Sequence, residues 1–173
     1  MKRVAICHNI RSRENVGSMF RTSDAFGISK IYLTGFTPLP PHPKISKTAL
    51  GAEEYVPWEQ RMSAAALIKR LRRDGYCVLA LEQAKKSSTP SRLRRRVRNT
   101  PTALLVGNEV TGIPLPLLKL CDAVMEIPMR GALVRETRHP KHKKVIGKES
   151  LNVAIAYGIA AYELSPHRRN KNP

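Results

Sequence analysis

The sequence has few cysteines and aromatic residues, and it lacks any long apolar run. Cys7, Cys77 and Cys121 are the only cysteines among 173 residues, and their scattered positions fit neither a disulfide framework nor a cysteine metal site. They predict reduced thiols of a cytoplasmic protein. No stretch approaches the roughly 18 apolar residues of a membrane span, and the first apolar run is too short for a secretory signal. We therefore expect a cytoplasmic location and no membrane association.

Two familiar nucleotide-binding motifs and a convincing metal motif are also missing. No glycine-rich turn follows the first apolar run, which excludes the dinucleotide-binding fingerprint. The absence of a GxxxxGK[ST] pattern excludes a P-loop. His139 and His142 flank a Pro-Lys pair, but without a further ligand nearby they do not predict a metal site. We expect no bound metal.

Acidic residues are scarce, and the resulting charge is the strongest compositional signal. Thirty-one Lys and Arg face 13 Asp and Glu, for a net charge of +18. A run of basic residues usually forms a solvated surface, but three such segments, at 85–98, 130–148 and the tail 166–173, favour nucleic-acid binding. We expect the tail to be disordered. The candidate nucleic-acid contacts are Arg94, Arg95, Arg96, Lys141, Lys143 and Lys144.

Short apolar runs alternate with helical patterns along the chain. This alternation predicts an α/β domain with a mainly parallel sheet and helices on both faces. We expect one domain over residues 1–165, with a basic insertion at about 131–147. A proline-rich loop is expected through residues 38–43, and the loop should continue to the second helix. The expected strands are Arg3–His8, Lys30–Thr34, 76–81, Thr102–Val106 and 123–127, and the expected helices are 15–26, 62–73, 114–120 and 150–164.

Three separated segments carry polar residues and glycines in an unusual combination. They are residues 15–27 (NVGSMFRTSDAFG), 105–113 (LVGNEVTGI), and the pair 127–129 (IPM) and 147–153 (GKESLNV). Each has an ordinary structural explanation: Asn15, Ser150 and Asn152 suit helix caps, and Gly107 suits a strand-to-helix turn. Glu109, however, would lie at the carboxyl end of the sheet, where α/β folds bind ligands.

Together, in this order, the three segments resemble the motifs of the TrmH (SpoU) group of the SPOUT methyltransferase superfamily. The resemblance includes residues 46–53 (SKTALGAE) and covers nearly the whole chain. It implies a C-terminal trefoil knot, an exception to the rule against threaded loops, a homodimer, and S-adenosylmethionine (AdoMet) as cofactor. By position, Gly107, Ile127, Met129 and Leu151 match residues that hold AdoMet, and Asn15, Arg21, Glu109, Ser150 and Asn152 match the polar catalytic set.

The resemblance implies methyl transfer to a ribose 2′-hydroxyl of a structured RNA, either tRNA or rRNA. Arg21 is the family's proposed base, but a guanidinium keeps its proton to above pH ~12, so a phosphate clamp is the simpler role. Two alternatives remain open: an RNA-binding or assembly factor without catalysis, and methylation of a base nitrogen. The insertion after Met129 departs from the family pattern, and it either binds RNA or disturbs the cofactor pocket.

Overall fold

The fold is a six-stranded parallel sheet covered by helices, as a computed structural model describes it for residues 1–84, 86–129 and 150–165. The strand order is β3-β2-β1-β5-β4-β6, and every neighbouring pair is parallel. The strands are β1 (Arg3–His8), β2 (Lys30–Thr34), β3 (Trp58–Arg61), β4 (Cys77–Leu81), β5 (Thr102–Val106) and β6 (Ala123–Met125). The predicted fold class is confirmed.

Seven helices are described, and the first six connect the strands. They are α1 (Arg13–Ala25), α2 (Pro43–Ala49), α3 (Ala52–Tyr55), α4 (Ala64–Arg73), α5 (Pro90–Arg96), α6 (Leu115–Leu118) and α7 (Val153–Leu164).

The alternating side chains of the central strands build two apolar cores. Ala5 and Cys7 of β1 face the core that contains residues of α1, α2, α3, α5 and α7, whereas Val4 and Ile6 face the core under α4 and α6. Because successive side chains of a strand point to opposite faces, a strand covered on both sides must be apolar throughout. The helices on both faces confirm that part of the prediction.

One expectation about local structure is wrong, and two elements were not predicted. The segment after the proline-rich stretch is not loop, because Pro43 begins α2, where a proline loses no helical hydrogen bond. The basic segment contains α5, which Pro90 begins in the same way. The strand β3 has the polar sequence WEQR and lies at the sheet edge, so it lacks the apolar run by which the other strands were predicted.

The glycine of the first motif packs two helices together. A side chain at Gly17 would collide with Thr48 and with the backbone of Ile45, and the Thr48 hydroxyl donates to the Glu14 carbonyl at 3.0 Å. Gly17 therefore brings α2 against α1.

Within the described ranges, no helix is long and apolar enough to cross a membrane. In the same part of the chain, no group of three or more His, Cys, Asp or Glu side chains could hold a metal ion. The three cysteines are free, and burial raises the pKa of Cys7 and of Cys121 to about 12. The predicted knot depends on the path of residues 130–149, which lie outside the described residues.

Candidate active site

A cavity of about 760 Å³ opens at the carboxyl ends of β4, β5 and β6. The strands β2 and β3 lie on one side of β1, and β5, β4 and β6 lie on the other. The cavity is beside this topological switch point between β1 and β5, where open α/β sheets bind ligands. Its lining includes nearly all predicted site residues from the three motifs: Asn15, Gly107, Glu109, Ile127, Met129, Ser150, Leu151 and Asn152.

The loop after β5 is tightly closed on itself. Asn108 and Gly112 exchange backbone hydrogen bonds of 3.2 and 3.0 Å, and the Asn108 side chain accepts from the Val110 and Thr111 amides. A side chain at the buried Gly107 would stand 2.6 Å from the Gly112 carbonyl carbon and from Ile113 Cγ1. Glycine at position 107 is therefore required for this loop to close over the end of the strand.

Glu109 is held at the beginning of α1. Its carboxylate accepts from the backbone amides of Arg11 and Ser12 at 2.8 and 3.0 Å and from Asn15 Nδ2 at 2.9 Å. Burial by itself would raise the pKa of Glu109, but these three hydrogen bonds outweigh it, and the pKa is lowered. A carboxylate with most of its lone pairs occupied and a lowered pKa is a poor proton acceptor, so its geometry suits positioning.

A chain of side-chain hydrogen bonds joins Glu109 to α7. Asn15 Nδ2 donates to Glu109, and Asn15 Oδ1 accepts from Asn152 Nδ2 at 3.2 Å. Asn152 is the N-cap of α7, and its Oδ1 accepts from the Ala154 and Ile155 amides. Because a carboxylate only accepts and a backbone amide only donates, the two ends of the chain determine the orientation of both amides. Three motifs distant in sequence thus meet in one network.

Of the two asparagines predicted as possible helix caps, only Asn152 is one. It caps α7 and also contacts Asn15. Asn15 does not cap α1: Ser12 is the N-cap and accepts from the Asn15 amide at 3.1 Å. This position inside the first turn leaves the Asn15 side chain available for Glu109 and Asn152.

Glu82 is a cavity residue that the sequence prediction missed. It follows β4, and its carboxylate accepts from the amides of Gln83 and Ile113, each at 2.9 Å. Gly112 has a positive φ of 67°, and a side chain there would collide with the Glu82 carboxylate. The signal that predicted Glu109, a carboxylate directly after a buried strand, applies equally to Glu82.

The cavity is negative although the protein is strongly positive. Glu82, Glu109 and Glu126 line it, against the single described cation Arg11, while the whole chain carries +18. The remaining walls are largely apolar, including Leu81. Such a site favours a small ligand with net positive charge and disfavours a phosphate backbone.

Arg21 does not line this cavity in its own chain. It lies on α1 one turn after Gly17 and is exposed. Of the predicted basic contacts, Arg94 is half-buried and Arg95 and Arg96 are exposed on α5, away from the cavity. The remaining three, Lys141, Lys143 and Lys144, lie outside the described residues.

The hydrogen bonds to Glu109 predict a pH-dependent stability. Since the pKa of Glu109 is lowered by folding, its contribution is complete above the ordinary value of about 4.3 and is lost as the pH falls through the folded value. We expect the melting temperature of Glu109→Gln to decrease less than that of the unaltered protein between about pH 5 and pH 3. Circular dichroism melts measure this, with Glu54→Gln, an exposed site on α3, as control. Parallel curves for all three proteins would contradict the assignment.

Comparison with known proteins identifies the family of this chain. The sequence model of the SpoU rRNA Methylase family matches residues 2–134. The 23S rRNA (guanosine-2′-O-)-methyltransferase of Coxiella burnetii is 25% identical over 169 residues, covering 97% of this chain and 60% of that protein. The chain spans 51 to 61% of the length of the first curated relatives that it matches.

Solved structures share the fold. An AdoMet-bound rRNA methyltransferase from Sinorhizobium meliloti superposes with a TM-score of 0.79 at 28% identity, covering 94% of this chain and 55% of that one. A structure from work on the 2-OH methylation of C/U34 on tRNA gives a TM-score of 0.73 at 26% identity, covering 94% and 93%. Because the family match extends over more than half of the chain, from before β1 to beyond β6, the chain belongs to the SpoU rRNA methylase family.

Proposed function

We propose that this chain transfers a methyl group from AdoMet to a ribose 2′-hydroxyl of tRNA or rRNA. The observation that carries the proposal is the cavity at the carboxyl edge, which unites Asn15, Glu109 and Asn152 from three distant motifs in one hydrogen-bond network. The family membership and the relatives described above support the same reaction.

The residues of the cavity fit AdoMet. A volume of about 760 Å³ lies within the range of small-molecule sites, and the three carboxylates suit a ligand that carries both a sulfonium and an ammonium group. Gly107, Ile127, Met129 and Leu151 would hold it through backbone groups and apolar contact. When bound, AdoMet supplies an electrophilic methyl group on a sulfonium that leaves readily.

The chain's own residues would align the ribose and stabilise the 2′-oxygen while its proton passes to a water molecule. Asn15, Ser150 and Asn152 border the cavity and would orient the hydroxyl. Glu109 would hold Asn15 in place; its lowered pKa disfavours a role as base. Arg21 would clamp the adjacent phosphate and stabilise the developing alkoxide through its guanidinium group.

We propose further that the chain is a homodimer formed through α7. This helix has apolar residues on its exposed face as well as on its buried face: Tyr157, Ala160 and Ala161 are buried, while Ile155, Ile159 and Tyr162 are 57%, 38% and 50% exposed. The exposed three lie at i, i+4 and i+7, on one stripe of the helix, and such a stripe marks a contact surface. A second copy packed there would also bring its own α1, which lies beside α7, close to this cavity.

A charge in the middle of this stripe is expected to separate the subunits. Ile159→Glu should convert the dimer to a monomer at micromolar concentration, because the interface would bury an unpaired carboxylate. Light scattering after gel filtration measures the mass. Leu115→Glu, at a 63% exposed position on α6, is the matched control and should remain dimeric. Equal masses for all three proteins would argue against this interface.

The basic residues Arg94, Arg95 and Arg96 would attract the RNA, as would Lys141, Lys143 and Lys144 in the segment outside the described residues. A cytoplasmic location and a single catalytic domain over residues 1–165 stay predictions.

The decisive experiment is methyl transfer from labelled AdoMet to total tRNA and to rRNA, followed by digestion to nucleosides. We expect 2′-O-methylated nucleosides, and mapping of ribose methylation would identify the nucleotide. A methyl group on a base nitrogen would overturn the ribose assignment. Absence of AdoMet binding in calorimetry would favour an RNA-binding factor without catalysis.

A further inference from the structure

A second groove lies at the amino ends of the strands, at the opposite end of the sheet from the cavity. It is formed where β4 and β6 begin, at Cys77 and Asp122, and four cations line it: Lys69, Arg72, Arg73 and Arg96. The only described acid among its lining residues is Asp122. The cavity at the carboxyl edge is negative, so the two ends of the sheet have opposite local charge.

The cations reach this groove from both faces of the sheet. Leu67 and Leu71 attach α4 to one core, and Leu93 attaches α5 to the other. Both helices end at this edge with basic residues in their last turn. The helix dipole accounts for cations at each helix end, but it does not require two helices on opposite faces to direct them into one groove.

Asp122 neutralises only one of the four cations. Its Oδ1 pairs with Arg72 Nη2 at 2.8 Å, and its Oδ2 accepts from the Val78 amide at 2.8 Å. Both oxygens are therefore occupied, and Asp122 serves to connect β6 to β4 and to hold Arg72. Among the described residues, Lys69, Arg73 and Arg96 have no ion pair, and all three are exposed. They present about three uncompensated positive charges.

We propose that this groove binds the phosphodiester backbone of the substrate RNA. The inference deepens the proposed function and rests on it. A five-residue strand spans about 17 Å, so an RNA that places its ribose at the cavity must extend several nucleotides along the protein before its phosphates reach the groove. This separation favours a folded RNA over a short oligonucleotide, and it places the electrostatic attraction where the negative cavity does not oppose it.

The test compares two double variants that remove equal charge. Arg73→Gln/Arg96→Gln changes the groove and spares Arg72, whose ion pair supports the fold. Arg13→Gln/Lys47→Gln changes exposed positions on α1 and α2 outside the groove. The probe is a folded, unmodified tRNA transcript, and the measurement is its affinity across a salt series.

We expect the groove variant to lose about tenfold or more in affinity near 0.1 M salt, and its salt slope to fall by roughly 1.4 to 1.8, as for two lost phosphate contacts. The control should change affinity by less than about threefold. Equal losses in the two variants would overturn the proposal, since they would reflect net charge alone. Thermal melts exclude unfolding as the cause.

Thiol footprinting supplies an independent test on the unaltered protein. Cys77 lines the groove and is half-buried. Bound RNA should slow the alkylation of Cys77, as read by peptide mass spectrometry. Unchanged Cys77 reactivity with RNA bound would contradict the proposal. Neither test requires turnover, so a chain that binds RNA at the groove and transfers no methyl group would refute the proposed function alone.

Discussion

Arg21→Ala is expected to lower the rate of methyl transfer by at least about a hundredfold to a thousandfold, the usual cost of a lost transition-state contact. The affinity for AdoMet should stay unchanged, because Arg21 does not line the cavity of its own chain. Single-turnover kinetics and calorimetry measure the two quantities separately. Arg13→Ala removes the same charge from an exposed position on the same helix and should retain near-normal turnover. Weakened AdoMet binding in Arg21→Ala, or normal turnover, would contradict the assigned role.

In the dimer proposed through α7, the α1 helix of one subunit would lie close to the other subunit's cavity, and this arrangement predicts that Arg21 acts in the partner's site. Mixing Arg21→Ala subunits with subunits that cannot bind AdoMet would then restore about a quarter of the activity, because half of the dimers are mixed and each has one complete site. If Arg21 instead served its own chain, no mixture would recover activity. This experiment separates the two arrangements without a further structure.

Gly112→Ala is expected to lower AdoMet affinity by about tenfold to a hundredfold. A methyl group there meets the Glu82 carboxylate, and the backbone has a positive φ of 67°. The left-handed conformation costs about 1–2 kcal/mol for alanine, which lowers the stability of the fold. Displacing Glu82 from the Ile113 amide costs about 1.5–3 kcal/mol, and this change in the cavity wall corresponds to about tenfold to a hundredfold in binding. Calorimetry with AdoMet measures the loss.

Gly51→Ala is the matched control for this prediction. Gly51 also has a positive φ, of 89°, but no atom lies within 4 Å of an added side chain. The variant should lose stability through the backbone conformation alone and should bind AdoMet normally. If both variants lose AdoMet affinity equally, the contact between Gly112 and Glu82 does not shape the cavity.

The buried strands were predictable because their surroundings determine their composition. Strands β1, β2 and β5 begin and end where their apolar runs predicted, since a parallel strand between two helical layers tolerates few polar residues. The edge strand β3 is only partly covered, and its polar sequence carries no such signal. Helix α5 was missed for a related reason. Most of its residues are arginines, and only Pro90 and Leu93 are buried, so it has no apolar stripe.

The candidate site was predicted in composition but not in geometry. Glu109 was predicted because it follows a buried strand, and Glu82 was overlooked although it follows another. Asn15 was predicted both as a helix cap and, through the family resemblance, as a member of the polar catalytic set, but a pattern within one segment cannot show that its partners are Glu109 and Asn152, 94 and 137 residues away along the chain.

The amino-acid sequence by itself determined the parallel α/β class, the strongly basic character and the three polar motifs, because these depend on local periodicity, composition and order along the chain. Only the tertiary structure decided which side chains meet. The pairing of β1 with β5 brings Glu109 to the beginning of α1, and the opposite sheet edge gathers cations from two helices on different faces. Such contacts arise from the order of strands in the sheet, which distant segments establish together as they pack.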